Sequence, residues 1–177
     1  MAEMGKTATG TETTPKKRVG LTKGGRDRTD IEELVYRSCL LMDDKDFSGF
    51  LDLCDDTFKY SIVAYSPEIR REMNFQEQDR KGMEKIFALL PKHNSDHGAL
   101  SRCASVYTVD WAADADEALV TSRIQVFRTE LNGGVTQLFC VGRLYDTVAF
   151  DSGQPKLRKR VVRLDTRMLG LGSHIPI

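Results

Sequence analysis

ALVTSRIQVFRTELNGGVTQLFCVGRLYDTVAFDSGQPKLRKRVVRLDTRMLGLGSHIPI, residues Ala118–Ile177, is the stretch that decides the fold. Ala118–Arg128 and Val135–Phe150 are rich in β-branched and aromatic residues, the composition of strands. Asn132, Gly133 and Gly134 lie between them and accept the positive φ of a tight hairpin turn. Asp151–Pro155 makes a second turn, and Lys156–Thr166 a third strand. Three consecutive strands joined by short turns form an antiparallel meander.

In the middle strand Leu138, Cys140, Leu144, Val148 and Phe150 point one way, and Val135, Phe139, Val141 and Tyr145 the other. A sheet with one wet face should alternate apolar and polar residues. Here both faces carry apolar side chains. The chain's own helices can cover one; the other calls for a partner subunit, or for a sheet that curls around its own core.

Upstream, Met1–Arg28 has almost no large apolar residues and several cations, among them Lys16, Lys17, Arg18, Lys23, Arg26 and Arg28. Such a segment cannot offset its ordering entropy by burial and is expected to be a disordered or partner-draped basic tail. The folded domain is expected over residues 29–177. Thr29-Asp30 is placed to cap a helix, with Glu32 and Glu33 in its first turn. Ile31, Leu34, Val35, Ser38, Leu41 and Met42 form its apolar stripe. A short second helix should bury Phe47, Phe50, Leu51 and Leu53, and Phe58–Tyr65 alternates like a strand.

The charged run Glu68–Arg80 reads as a surface helix or an irregular excursion. Gly82–Leu90 reads as a helix that Pro91 breaks. His93–Leu100 reads as a polar loop, Arg102–Trp111 as a strand, and Ala113–Asp116 as the turn into the meander. Helices first and antiparallel strands last predict an α+β domain, helices packed on one face of a curved sheet.

The 26 basic and 26 acidic side chains cancel, so net charge gives no reason to expect nucleic acid or a membrane surface as a partner. No apolar run is long enough to span a bilayer, and no signal-peptide core opens the chain. Cys39, Cys54, Cys103 and Cys140 show no CxxC spacing and read as buried free thiols of a cytoplasmic protein.

Candidate chemistry is sparse. His93 and His97 have the HxxxH spacing of a zinc helix, but the Glu of that motif is missing, and Pro91 and Gly98 oppose a continuous helix. With Asp96 they supply the residue types of a two-His, one-carboxylate iron site in a poor loop context. No phosphate loop, dinucleotide fingerprint, nucleophile elbow or cluster-binding Cys-His pairs occur. The run Arg158-Lys159-Arg160, with Arg163 and Arg167, is dense in cations; on a strand Arg158 and Arg160 face one way and Lys159 and Arg163 the other. Without an aromatic platform for bases they suit ion pairs or a subunit interface, with Asp146 and Asp165 as acceptors. Arg143, inside an apolar strand, would need a partner if buried. His174 sits in a terminal segment whose Leu169, Leu171, Ile175 and Ile177 suggest docking.

Gly142-Arg143-Leu144-Tyr145-Asp146 and Val162–Thr166 resemble the β (small) subunit of Rieske-type ring-hydroxylating dioxygenases. The acidic Asp43–Asp46 turn and the Arg102 strand fit the same pattern. The chain departs from it at Leu157, where many relatives carry Trp, and in its basic tail. The closing LDTRMLGLGSHIPI is similar to less usual small subunits, those of methanesulfonate monooxygenases among them.

This resemblance implies a cystatin-like, nuclear-transport-factor-2-like roll in an α3β3 hexamer. The large subunit would hold the Rieske [2Fe–2S] cluster and the mononuclear iron, and would hydroxylate an aromatic or small sulfonate substrate with O2 and electrons from NADH. The small subunit would hold no cofactor and no catalytic residue. Arg102, Arg143, Asp146, Arg163, Asp165, Arg167 and His174 would serve scaffold and interface.

Two other readings stand beside it. One is an isomerase-like enzyme on the same roll, using groups such as Tyr60, Tyr107, Asp110 and Tyr145 as ketosteroid isomerases use an Asp base and a Tyr/Asp oxyanion hole. The other is a non-enzymatic dimeric interaction module.

Overall fold

The computed structural model describes residues 27–112, 116–132, 134–150, 153–169 and 175–177. The expected tail up to residue 26, the turn at 113–115, Gly133 and His174 lie outside the described residues. The elements run α1 (Arg28–Asp43), α2 (Phe47–Asp52), β1 (Cys54–Ser66), β2 (Arg71–Asp79), α3 (Arg80–His93), β3 (Ala99–Trp111), β4 (Glu117–Thr129), β5 (Thr136–Ala149) and β6 (Lys156–Leu164). The six strands form one curved sheet in the order β2-β1-β6-β5-β4-β3.

The meander holds: β3, β4, β5 and β6 pair antiparallel in sequence order. Gly134, at φ 101°, supplies the left-handed backbone the first turn needs. One pairing departs from an all-antiparallel sheet. β1 joins β6 in parallel, so the sheet is mixed. The long excursion through β2, α3 and the meander carries the chain back to lay β6 beside β1.

All three helices lie on one face of the sheet. The stripe Ile31, Leu34, Val35, Ser38 and Met42 of α1 is buried. Asp27 caps this helix by accepting the Thr29 N–H at 3.2 Å, so Arg28 opens the helix and does not belong to the tail, and Asp30 is buried in the first turn. Phe47 of α2 stacks on Phe87 of α3 with ring centroids 4.4 Å apart, and Phe50 meets Phe58 of β1 edge-on at 6.1 Å. These aromatic contacts close one end of the core.

Two further expectations change. Residues 71–79 are neither a helix nor an irregular excursion: they form β2, an edge strand whose side chains meet solvent on both faces, which is why charge dominates its sequence. Pro91 does not end α3, which continues to His93. A proline in the last turn removes one amide hydrogen bond, and the neighbouring Asn94 N–H still reaches Leu90 O at 2.9 Å.

Candidate functional site: a buried ion pair beneath an open sheet face

Among the buried side chains, Arg160 and Asp146 stand out. They are 3% and 0% exposed. Asp146 and Arg160 sit directly opposite on β5 and β6, and their forks meet in two 2.8 Å hydrogen bonds. The third guanidinium nitrogen donates to Ser38 Oγ of α1 at 2.9 Å. Burial alone would favour the neutral guanidine, but the charge and hydrogen bonds of Asp146 outweigh it and hold Arg160 charged. The sequence marks Asp146 as an acceptor for the basic strand but does not distinguish Arg160 within its run of cations. The bulge between Thr147 and Val148 turns Arg160 inward beside buried Leu157 and Val162, while Arg158 is half-buried against Asp55 and Glu117. Arg158 and Arg160 therefore do not share a face.

Arg102 makes a second internal link. Its side chain is 2% exposed and pairs with Asp43 at the end of α1. It also donates to the Pro176 carbonyl at 2.6 Å, while Tyr60 Oη donates to the Ile177 carbonyl at 3.0 Å. The C-terminal residues are thus docked, as their apolar character predicted. Burial pushes the Tyr60 hydroxyl up, so it stays protonated and donates. Arg102 Nε has no partner among the described residues.

The opposite face of the sheet carries no helix among the described residues. There Arg123, Arg143 and Arg163 stand directly opposite one another on β4, β5 and β6, forming a single cross-strand row. Asp165 pairs with Arg123 at 2.9 Å and Glu72 with Arg163 at 3.4 Å. Arg143 is exposed and has no carboxylate in salt-bridge range among the described residues; the nearby Tyr145 oxygen and the Asp165 carboxylate help hold it charged. Half-buried Tyr145 and Val161 flank the row on one side, and Val141 and exposed Tyr65 on the other. Arg123 was not foreseen. Arg167 lies at the surface, paired with Glu68.

The face assignment of β5 holds from Cys140 through Val148 to Phe150, which packs against the core, and fails before Cys140. A bulge at Phe139 of β5, left unpaired between the pairs Val126–Cys140 and Phe127–Leu138, turns Phe139 toward the core and exposes Leu138. Among the thiols, Cys39, Cys54 and Cys140 are buried, but Cys103 is exposed, because it points outward between inward-facing Arg102 and Ala104.

The residue types first considered for iron do not make a metal site. Asp96 is engaged by Arg128 in two 2.7 Å hydrogen bonds, which hold its carboxyl below the usual range. His93 instead lines an apolar cavity of about 600 Å³ with Ile62, Phe75, Leu90 and Phe139. Among the described residues no group of three or more His, Cys, Asp or Glu could hold a metal ion. The described donors thus fit neither an iron–sulfur cluster nor a mononuclear iron. No described helix is long and apolar enough to cross a membrane.

The SnoaL-like domain family matches residues 25–161. The chain is 40% identical over 160 residues to the β subunit of methanesulfonate monooxygenase hydroxylase from Methylosulfonomonas methylovora, covering 86% of this chain and 88% of that one. This chain is an oxygenase β subunit of the SnoaL-like family. The β subunit is also 31% identical over 151 residues to subunit β of 2-aminobenzenesulfonate 2,3-dioxygenase from an Alcaligenes species, covering 85% of this chain and 99% of the relative. Its fold matches a β subunit from Novosphingobium aromaticivorans, described as that of an aromatic-ring-hydroxylating dioxygenase, with TM-score 0.70 at 18% identity over 85% of this chain and 96% of that one.

Proposed function

We propose that this β subunit is the scaffold half of a sulfonate oxygenase. A larger α subunit holds a Rieske [2Fe–2S] cluster and a mononuclear iron, and the two assemble as a cytoplasmic α3β3 hexamer. The observation that carries the reading is the 40% identity to a methanesulfonate hydroxylase β subunit across 88% of that chain. The second relative acts, by its name, on another sulfonate, which favours that substrate class. The iron centres would supply O2 activation with electrons from NADH. This chain's own residues hold shape. Arg160 and Asp146 fasten β5 and β6 to α1, Arg102 fastens β3 to the end of α1 and to the C-terminus, and the sheet presents its uncovered face outward.

The test is to purify the chain from its own source without affinity selection and record native mass and iron content. A brown species containing a second, heavier chain and iron is the expected result. A small colourless species that binds no heavier chain overturns the reading.

A further inference from the structure

Three arginines stand directly opposite one another on adjacent strands, whose backbones in a sheet lie about 5 Å apart, and like charges placed directly opposite destabilise a sheet. The described chain matches only part of that charge. Arg123 and Arg163 have their acids, but Arg143, between them, has only the Tyr145 oxygen and the more distant Asp165 charge. Beside Arg143 and Arg163 lies a cleft of about 380 Å³ bounded by Tyr65, Leu164 and Asp165. The whole chain is formally neutral, so this cationic row is a local arrangement and not a by-product of a basic protein.

The flanks define the kind of partner. Arg and Tyr are enriched at interface centres, ringed by neighbouring contacts that exclude water. Arginine forks take carboxylates two oxygens at a time. A row that spans three strands between two apolar borders is broader than a single small anion needs.

We infer that the open face of the sheet docks the large subunit, with carboxylate side chains of that subunit seated on Arg143 and Arg163. The inference rests on the oxygenase-subunit reading and adds the face and the chemistry of the contact.

The test co-expresses the large subunit with wild-type chain, Arg143→Gln, and the double variant Arg143→Glu with Arg163→Glu. The complex dissociation constant is measured at several salt concentrations, and folding of each free chain is followed by circular dichroism and thermal melting. The expected result is a dissociation constant raised at least tenfold by Arg143→Gln and further by the double reversal, with a flatter salt dependence. Melting of the Arg143→Gln chain should be unchanged or raised, because like-charge repulsion within the row is relieved, whereas the double reversal gives up the Arg163–Glu72 pair and sets two acids opposite each other, so it should melt somewhat lower while circular dichroism shows the fold kept. Wild-type and reversed chains that assemble equally well overturn the inference while leaving the subunit reading intact. So does a reversal that abolishes self-association of the free chain but leaves large-subunit affinity unchanged. A wild-type chain that captures no large subunit overturns the reading beneath it.

Discussion

Asp146 shows how much can depend on one carboxylate. Replacing it with Ala strands a guanidinium in the interior, with Ser38 Oγ its one remaining hydrogen-bond partner among the described residues. The expected cost is about 3–5 kcal/mol, read as a fall in the urea midpoint of the full chain. Pairing Asp146→Leu with Arg160→Met removes both charges and should recover most of the loss, since a matched apolar pair is about as stable as a buried ion pair. Asp96 offers a pH-dependent counterpart. Hydrogen bonds from Arg128 lower its folded pKa, so its contribution is fully present above the unfolded value of about 4 and is lost as pH falls through the folded one. Arg128→Ala should therefore melt below wild type at pH 7, with the gap closing as pH falls below about 4. At this scale the residue types were legible and the partners only partly so. Asp146 could be named as an acceptor from its place opposite a basic strand, but choosing Arg160 over its neighbours required the bulge near Val148. The row of Arg123, Arg143 and Arg163 is implicit in the sequence: the first pair is equidistant from Gly133 and the second from Gly153.

The elements that declared themselves buried one face and exposed the other, as α1 and the meander do. β2 did not, because an edge strand wet on both faces has no apolar period to read. The parallel pairing of β1 with β6 joins segments far apart in the chain, and no local signal specifies it. Turn residues fixed the register of β5 and β6 better, and Gly142 adds to it. A Cβ there would lie 2.5 Å from the Arg163 carbonyl oxygen and 3.0 Å from Leu164 Cα, both backbone atoms that cannot swing aside. Gly142→Ala should force the two strands apart and cost about 1–3 kcal/mol, measured by thermal unfolding of the free chain. Because this displacement reaches both Arg143 and Arg163, the variant should also weaken capture of the large subunit.

For the whole molecule, the division of the sheet into a helix-covered face and an open one makes a chemical prediction. Burial pushes the Cys54 and Cys140 thiols up to about 12 and raises Cys39 as well, so none of these three offers an accessible thiolate at neutral pH. Cys103 is exposed on the open face, opposite Gln125, which in turn faces Val141 beside the arginine row. The folded free chain should therefore react with a thiol reagent at one cysteine, and at all four after denaturation. A partner seated over the arginine row and its borders would extend across β4 to β3, since an interface of ordinary size covers roughly 800 Å² on each side. Cys103 labelling should then slow at least tenfold in the assembled oxygenase. Conversely, Cys103→Ser labelled at no site when native would show that the reporter is this thiol and not a transiently opened core. If Cys103 reacts at the same rate free and assembled, the large subunit leaves the open face uncovered, and contact must be sought on the helical side.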